Sequence, residues 1–69
     1  MKKIGEKIRM LRESDGLTVT KLAELVSVSH GHISRIESGS KRPSSDLILK
    51  LADLFEVSTD QLMRDELEL

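Results

Sequence analysis

Apolar residues recur along this chain at intervals of three and four, broken at short distances by Ser, Thr, Gly or Pro, so the pattern reads as a series of short amphipathic helices. Ile4, Ile8 and Leu11 mark a first helix of about Lys3 to Ser14 that ends before Gly16, after which Leu17 returns the chain to the core. Thr18 opens a second helix of about Val19 to Val26, and Ser29 a third of about His30 to Ser38. A hydroxyl at either position accepts a bond from an otherwise unpaired backbone N–H, and Gly39 is available for a left-handed stop. Beyond the loop Ser40-Lys-Arg-Pro-Ser44, Ser44 caps a fourth helix of about Ser45 to Phe55, whose inward stripe is Ile48, Leu51, Ala52 and Phe55. Val57 docks the next turn. Ser58-Thr-Asp-Gln61 has the form of a capping box, so a fifth helix starts at Thr59 with Asp60 near its positive end and Leu62 inside. No strand-like alternation, repeat or low-complexity stretch interrupts the series, and the expected fold is all-α, a compact five-helix domain.

The second and third helices form the most informative pair. Ala23 sits midway along the second, where a larger side chain would hold the third helix away, and Val28, Ile33 and Ile36 supply the apolar contacts that fix the angle between them. Two short helices joined by so tight a turn have the sequence form of a helix-turn-helix, spanning about residues 18 to 38. With Ser29 as cap, Ile33 and Ile36 face inward, while His30, Gly31, Ser34 and Arg35 fall on the exposed N-terminal side, a short, polar and basic set suited to a DNA groove.

Composition narrows the reading. The 69 residues have room for one small domain, expected to span 1–69, that buries about 60% of its unfolded surface. There is no Cys, and Phe55 is the one aromatic residue, so aliphatic helix packing must hold the fold and a reducing, cytoplasmic setting fits. No apolar stretch is long enough to span a bilayer, and no apolar segment follows the basic start in signal-peptide fashion, so no membrane partner is expected.

The net charge of −1 hides segregation. Residues 1–13 carry five bases and two acids (+3), residues 29–43 three bases and one acid (+2), and residues 53–69 one base and six acids (−5). Such a chain can turn a basic face to phosphates while its C-terminal end repels them. His30-Gly-His32 is not a metal site, since residues two apart on a helix do not share a ligand sphere. No Gly-rich phosphate loop and no triad-like spacing is present, so neither catalysis, cofactor nor metal is expected.

Ile4-Gly-Glu-Lys-Ile-Arg-Met-Leu-Arg12, Gly16-Leu-Thr18, Leu22-Ala23, Val28-Ser29, Ile33-Ser-Arg-Ile-Glu-Ser-Gly39, Pro43-Ser44, Leu51-Ala52 and Val57-Ser58 fall in register with one known pattern. Over nearly its whole length the chain resembles the Cro/C1-type (XRE) helix-turn-helix, the family of lambdoid phage repressors and many small bacterial regulators. The resemblance implies a lambda-repressor-like domain whose third helix enters the major groove, as a homodimer on a palindromic operator. His30, Gly31, Ser34 and Arg35 then stand at base-reading positions. Thr18, Val19, Thr20, Lys21, Ser29, His32, Ser38, Ser40, Lys41 and Arg42 stand at or beside positions that touch phosphates. It also implies an ion pair of Arg12 with Glu37 that fixes the reading helix, and a dimer interface of Phe55, Val57, Leu62, Met63 and Leu67. Three positions depart from the family pattern. Val19 replaces a frequent Gln and cannot donate to a phosphate, so Thr18, Thr20 or backbone N–H groups must substitute. Ser27 and Glu56 replace frequent glycines, and each is expected to carry the strain of a positive φ, about 1 kcal/mol.

The expected role is a dimeric transcriptional repressor. Arg35 is the leading specificity residue, since a guanidinium can pair with guanine O6 and N7. The alternatives on the same fold are an antitoxin, a restriction-modification controller, or an adaptor that binds a protein partner or antagonist. For those, the apolar residues Leu25, Leu47, Met63, Leu67 and Leu69 would supply the surface.

Overall fold

A computed structural model describes residues 3–65. Five helices follow in order, α1 (Ile4–Ser14), α2 (Val19–Leu25), α3 (His30–Ser38), α4 (Ser45–Phe55) and α5 (Thr59–Met63), with no strand among the described residues. The all-α, five-helix architecture is the one the sequence pattern predicts.

Four helices begin on the hydroxyls that the sequence marks. Thr18 Oγ1 accepts from Lys21 N, Ser29 Oγ from His32 N, Ser44 Oγ from Leu47 N and Ser58 Oγ from Gln61 N, and Gln61 Oε1 in turn accepts from Ser58 N to complete the capping box. Helix α1 starts one residue later than expected, because Lys3 is its cap residue in extended conformation and lends no side-chain bond. Four helices also end alike. A residue in the left-handed region follows, and the next N–H bonds back five residues: Leu17 N to Arg12 O, Val28 N to Ala23 O, Ser40 N to Arg35 O and Val57 N to Ala52 O. Gly16 and Gly39 make two of these stops, but Ser27 (φ 59°) and Glu56 (φ 56°) make the others with a Cβ in place, so the strain expected at both positions is present. The stop at Ser27 also explains why α2 ends at Leu25 and leaves Val26 as its cap.

The core collects Ile8, Leu22, Ala23, Val26, Ile33, Ile36, Leu47, Ile48, Leu51, Ala52 and Leu62, with Ile4, Leu11, Leu17, Val19, Val28, Leu54, Phe55 and Val57 packed half-buried around it. Leu47 is therefore core and not part of a free surface. Phe55, expected on the inward stripe of α4, lies at its margin. Helix α2 packs on α3, α1 on α3, and α5 on both α4 and α1. Two contacts draw α1 tightly into this arrangement. Gly5 lies so close to the last turn of α3 that a Cβ there would stand 2.3 Å from Ile36 O and 3.0 Å from Glu37 O. Lys7 is buried to 1% exposure and donates from Nζ to Gln61 O (2.5 Å) and Arg64 O (2.6 Å), satisfying the carbonyls that end α5.

Candidate nucleic-acid interface

The exposed side of α3 carries His30, Ser34 and Arg35, with Gly31 and His32 half-buried, while Ile33 and Ile36 are fully inside. Its capped N-terminus leaves backbone N–H groups and a partial positive charge facing outward. Ala23, buried between α2 and α3, allows the close approach of the two helices that the reading of the turn required.

A side-chain clamp sets the position of α3. Arg12 of α1 donates from Nε to Glu37 Oε2 (2.7 Å), from Nη2 to Glu37 Oε1 (3.1 Å) and from Nη1 to Leu17 O (2.8 Å), a bidentate pair plus a main-chain anchor. Both side chains are largely buried, at 12% and 9% exposure. The hydrogen bond to Glu37 raises the Arg12 pKa. Burial opposes this, while attraction to Glu37 and to Glu13 adds to it. One guanidinium thus joins α1, the segment before α2, and α3.

Around α3 the phosphate-contact candidates differ in what they can offer. The hydroxyls of Thr18 and Ser29 accept from backbone N–H groups and keep their own hydrogens for donation outward. Thr20 and Lys21 are exposed on the first turn of α2. Val19 packs against the core, so its side chain is withdrawn and only its main-chain N–H can serve there. Ser38 Oγ (3.0 Å) and Ser40 Oγ (3.2 Å) both reach Arg35 O, which also accepts from Ser40 N and Lys41 N. Those two hydroxyls belong to the helix stop, and each must turn away from it before it can donate to a phosphate.

Lys41 and Arg42 are exposed and line a cleft of about 450 Å³ together with Lys3, Ile4, Gly5, Ile36, Gly39 and Asp65. Lys3 therefore joins the basic loop, a juxtaposition invisible in a sequence that separates them by nearly forty positions. Gly5 was missed as well, because an isolated Gly in an apolar helical pattern signals only weak helix propensity.

The proposed dimer surface needs correction. Leu62 has no exposed area, because it closes the core between α5, α4 and α1, so it cannot meet a partner. Phe55 and Val57 are half-buried against that core, and Met63 is about half exposed. Leu67 lies outside the described residues, as does Leu69. Leu25 and Leu49 are also exposed, on α2 and α4. No cluster of His and carboxylates able to hold a metal occurs among the described residues, and no described helix is long and apolar enough to cross a membrane.

Five helices, a capped α3 with a polar outer face and a turn closed at Ser27 define a helix-turn-helix domain. A family model for the helix-turn-helix domain matches residues 3–67, and the chain belongs to that family, in its Cro/C1-type branch. Among curated proteins, the HTH-type transcriptional repressor RghR of Bacillus subtilis is 42% identical over 64 residues, covering 91% of this chain and 47% of RghR. Among solved structures, the P22 c2 repressor in complex with a synthetic operator superposes with a TM-score of 0.88 at 27% identity, over 96% of this chain and all of that one. The restriction-modification controller protein C.AhdI of Aeromonas hydrophila gives 0.78 at 30% identity, over 87% of this chain and 91% of that one. The chain spans about half the length of most of the curated relatives it matches.

Proposed function

We propose that this chain is the DNA-reading domain of a transcriptional repressor, acting as a homodimer on a palindromic operator in the cytoplasm, with residues 1–69 working as one domain. The observation that carries the proposal is α3 itself, capped by Ser29, presenting His30, Ser34 and Arg35 outward and held at its far end by the Arg12–Glu37 clamp. In this reading His30, Gly31, Ser34 and Arg35 meet base edges. Thr18, Thr20, Lys21, Ser29, His32, Lys41 and Arg42 meet phosphates, with the Val19 N–H and the Ser38 and Ser40 hydroxyls in support. Met63, flanked by Phe55 and Val57, leads the dimer contact. Repression follows from occupancy of promoter DNA, with no catalytic step and no cofactor.

The test is an in vitro selection from random duplex DNA, run side by side with the wild type and Arg35→Ala near physiological ionic strength. The expected result is an enriched palindrome with half-sites about one helical turn apart, whose sequence preference weakens in the mutant. A folded wild-type protein that enriches no sequence would overturn the proposal and favour the protein-binding role.

A further inference from the structure

The Arg35 side chain does not stand straight out from α3. Its guanidinium runs back toward the N-terminus of the helix and lies alongside Gly31, where a Cβ would stand 3.4 Å from Nη1 and 4.0 Å from Cζ and Nη2. Long helical side chains lean this way because the Cα–Cβ bond tilts toward the N-terminus and residues four apart share a face. Four residues at about 1.5 Å of rise bring the head roughly 6 Å along the axis, to the level of the first turn. Among the described residues the guanidinium takes part in no hydrogen bond or ion pair.

A glycine within a helix weakens it relative to alanine, and at Gly31 neither a positive φ nor a nearby main chain demands one, in contrast to Gly39 and Gly5. Beyond the helix's own main chain, the three atoms nearest to a Cβ at Gly31 all belong to the Arg35 guanidinium.

The geometry points to Gly31 as a specificity-determining position that acts through Arg35: the absence of any side chain beyond a Cβ there leaves the berth in which the guanidinium lies, and so sets the level in the groove at which Arg35 reads a base pair. This rests on the DNA-reading role proposed above. Gly31 is thus a positioning residue for Arg35 in addition to allowing the helix to approach DNA. Alanine at that position comes into ordinary van der Waals contact with the guanidinium and leaves the berth usable. A longer side chain fills it and sends the guanidinium elsewhere.

The experiment compares the wild type, Gly31→Ala, Gly31→Leu, Arg35→Ala and the double variant Gly31→Leu/Arg35→Ala by selection from randomised duplex DNA, followed by competition binding on the selected sites. Leucine and alanine both favour helix, and circular dichroism verifies that each variant is folded. The base pair whose preference disappears in Arg35→Ala identifies where Arg35 reads, with an expected discrimination of about 5- to 150-fold. Gly31→Ala should keep that preference within about threefold. Gly31→Leu should lose it or move it to a neighbouring base pair, and at that position the double variant should match Arg35→Ala. The inference is overturned if Gly31→Leu retains the Arg35-dependent preference in full. It is equally overturned if the leucine changes preference as much in the Arg35→Ala background as in the wild type, since residue 31 would then act on DNA alone. A specific wild type whose preferences survive Arg35→Ala removes this pairing but leaves DNA reading intact, whereas a wild type that enriches nothing removes both.

Discussion

Replacing Gly5 by alanine should destabilise this protein even though alanine is the better helix former. In an open helix the exchange gains up to about 1 kcal/mol. Here the added Cβ would stand 2.3 Å from the Ile36 carbonyl oxygen and 3.0 Å from that of Glu37, both main-chain atoms in the last turn of α3. Carbon and oxygen come to rest at about 3.3 Å or more, so α1 must retreat from α3 by about 1 Å. Neither oxygen can swing aside as a flexible side chain would. Overpacking of this kind costs about 1–3 kcal/mol, and with rigid atoms on the opposing side the upper part of that range applies. Set against the propensity gain, the net loss is about 2 kcal/mol, which in a domain this small lowers Tm by about 8–16 °C. Thermal unfolding followed by circular dichroism at the helical band measures it. The retreat also stretches the Arg12–Glu37 clamp, since both of its ends lie on the helices being parted. A Gly5→Ala protein with an unchanged or raised Tm would refute this account of the α1–α3 contact.

Further outcomes follow from the clamp, the helix stops and the loop. Arg12→Ala strands the largely buried Glu37 carboxylate and should cost about 3 kcal/mol in urea unfolding, while Arg12→Met with Glu37→Leu should recover much of that loss. Since the folded state raises the Arg12 pKa, the arginine's contribution is fully present below its ordinary pKa and is lost only as pH climbs through the raised value, so the Arg12→Ala deficit should be equal at about pH 6 and about pH 9. Ser27→Gly and Glu56→Gly should each stabilise the fold by about 0.5 kcal/mol, the left-handed strain relieved less the entropy of a freer unfolded chain. Gly16→Ala, where a Cβ meets no neighbour but φ is 71°, should lose about 1 kcal/mol, and Tm values for the set verify the signs. Removing both Lys41 and Arg42 should lower the slope of log affinity against log salt by about 2 in fluorescence-anisotropy titrations with duplex DNA.

Much of this architecture is legible in local pattern. Helices α3 and α4 begin and end where Ser29, Gly39, Ser44 and Glu56 place them, because a cap or a left-handed stop is a property of a few adjacent residues. The outward position of His30, Ser34 and Arg35 follows from helical period once Ile33 and Ile36 are known to face inward. What the sequence conceals depends mostly on distant partners, and otherwise on the exact course of the backbone at a helix end. Lys7 reads as one more solvated cation in a basic first helix, and only the arrival of α5, more than fifty residues on, supplies the carbonyls that make its burial tolerable. Leu62 and Met63 are adjacent and alike in character, and which of them is core depends on how a helix of a single turn or so rolls against α1 and α4. The hydroxyls of Ser38 and Ser40 look free in sequence, but the stop after α3 directs both onto one carbonyl.

Lys3 and Asp65, far apart in sequence, line one cleft, and Lys7 holds the carbonyl of Arg64, the residue before Asp65. The start of α1 and the turn after α5 thus share a single seam, with Lys41 and Arg42 on its wall. The carboxylate of Asp65 thus shares a wall with the basic loop proposed to grip the DNA backbone, and its charge opposes the attraction of that loop for phosphates.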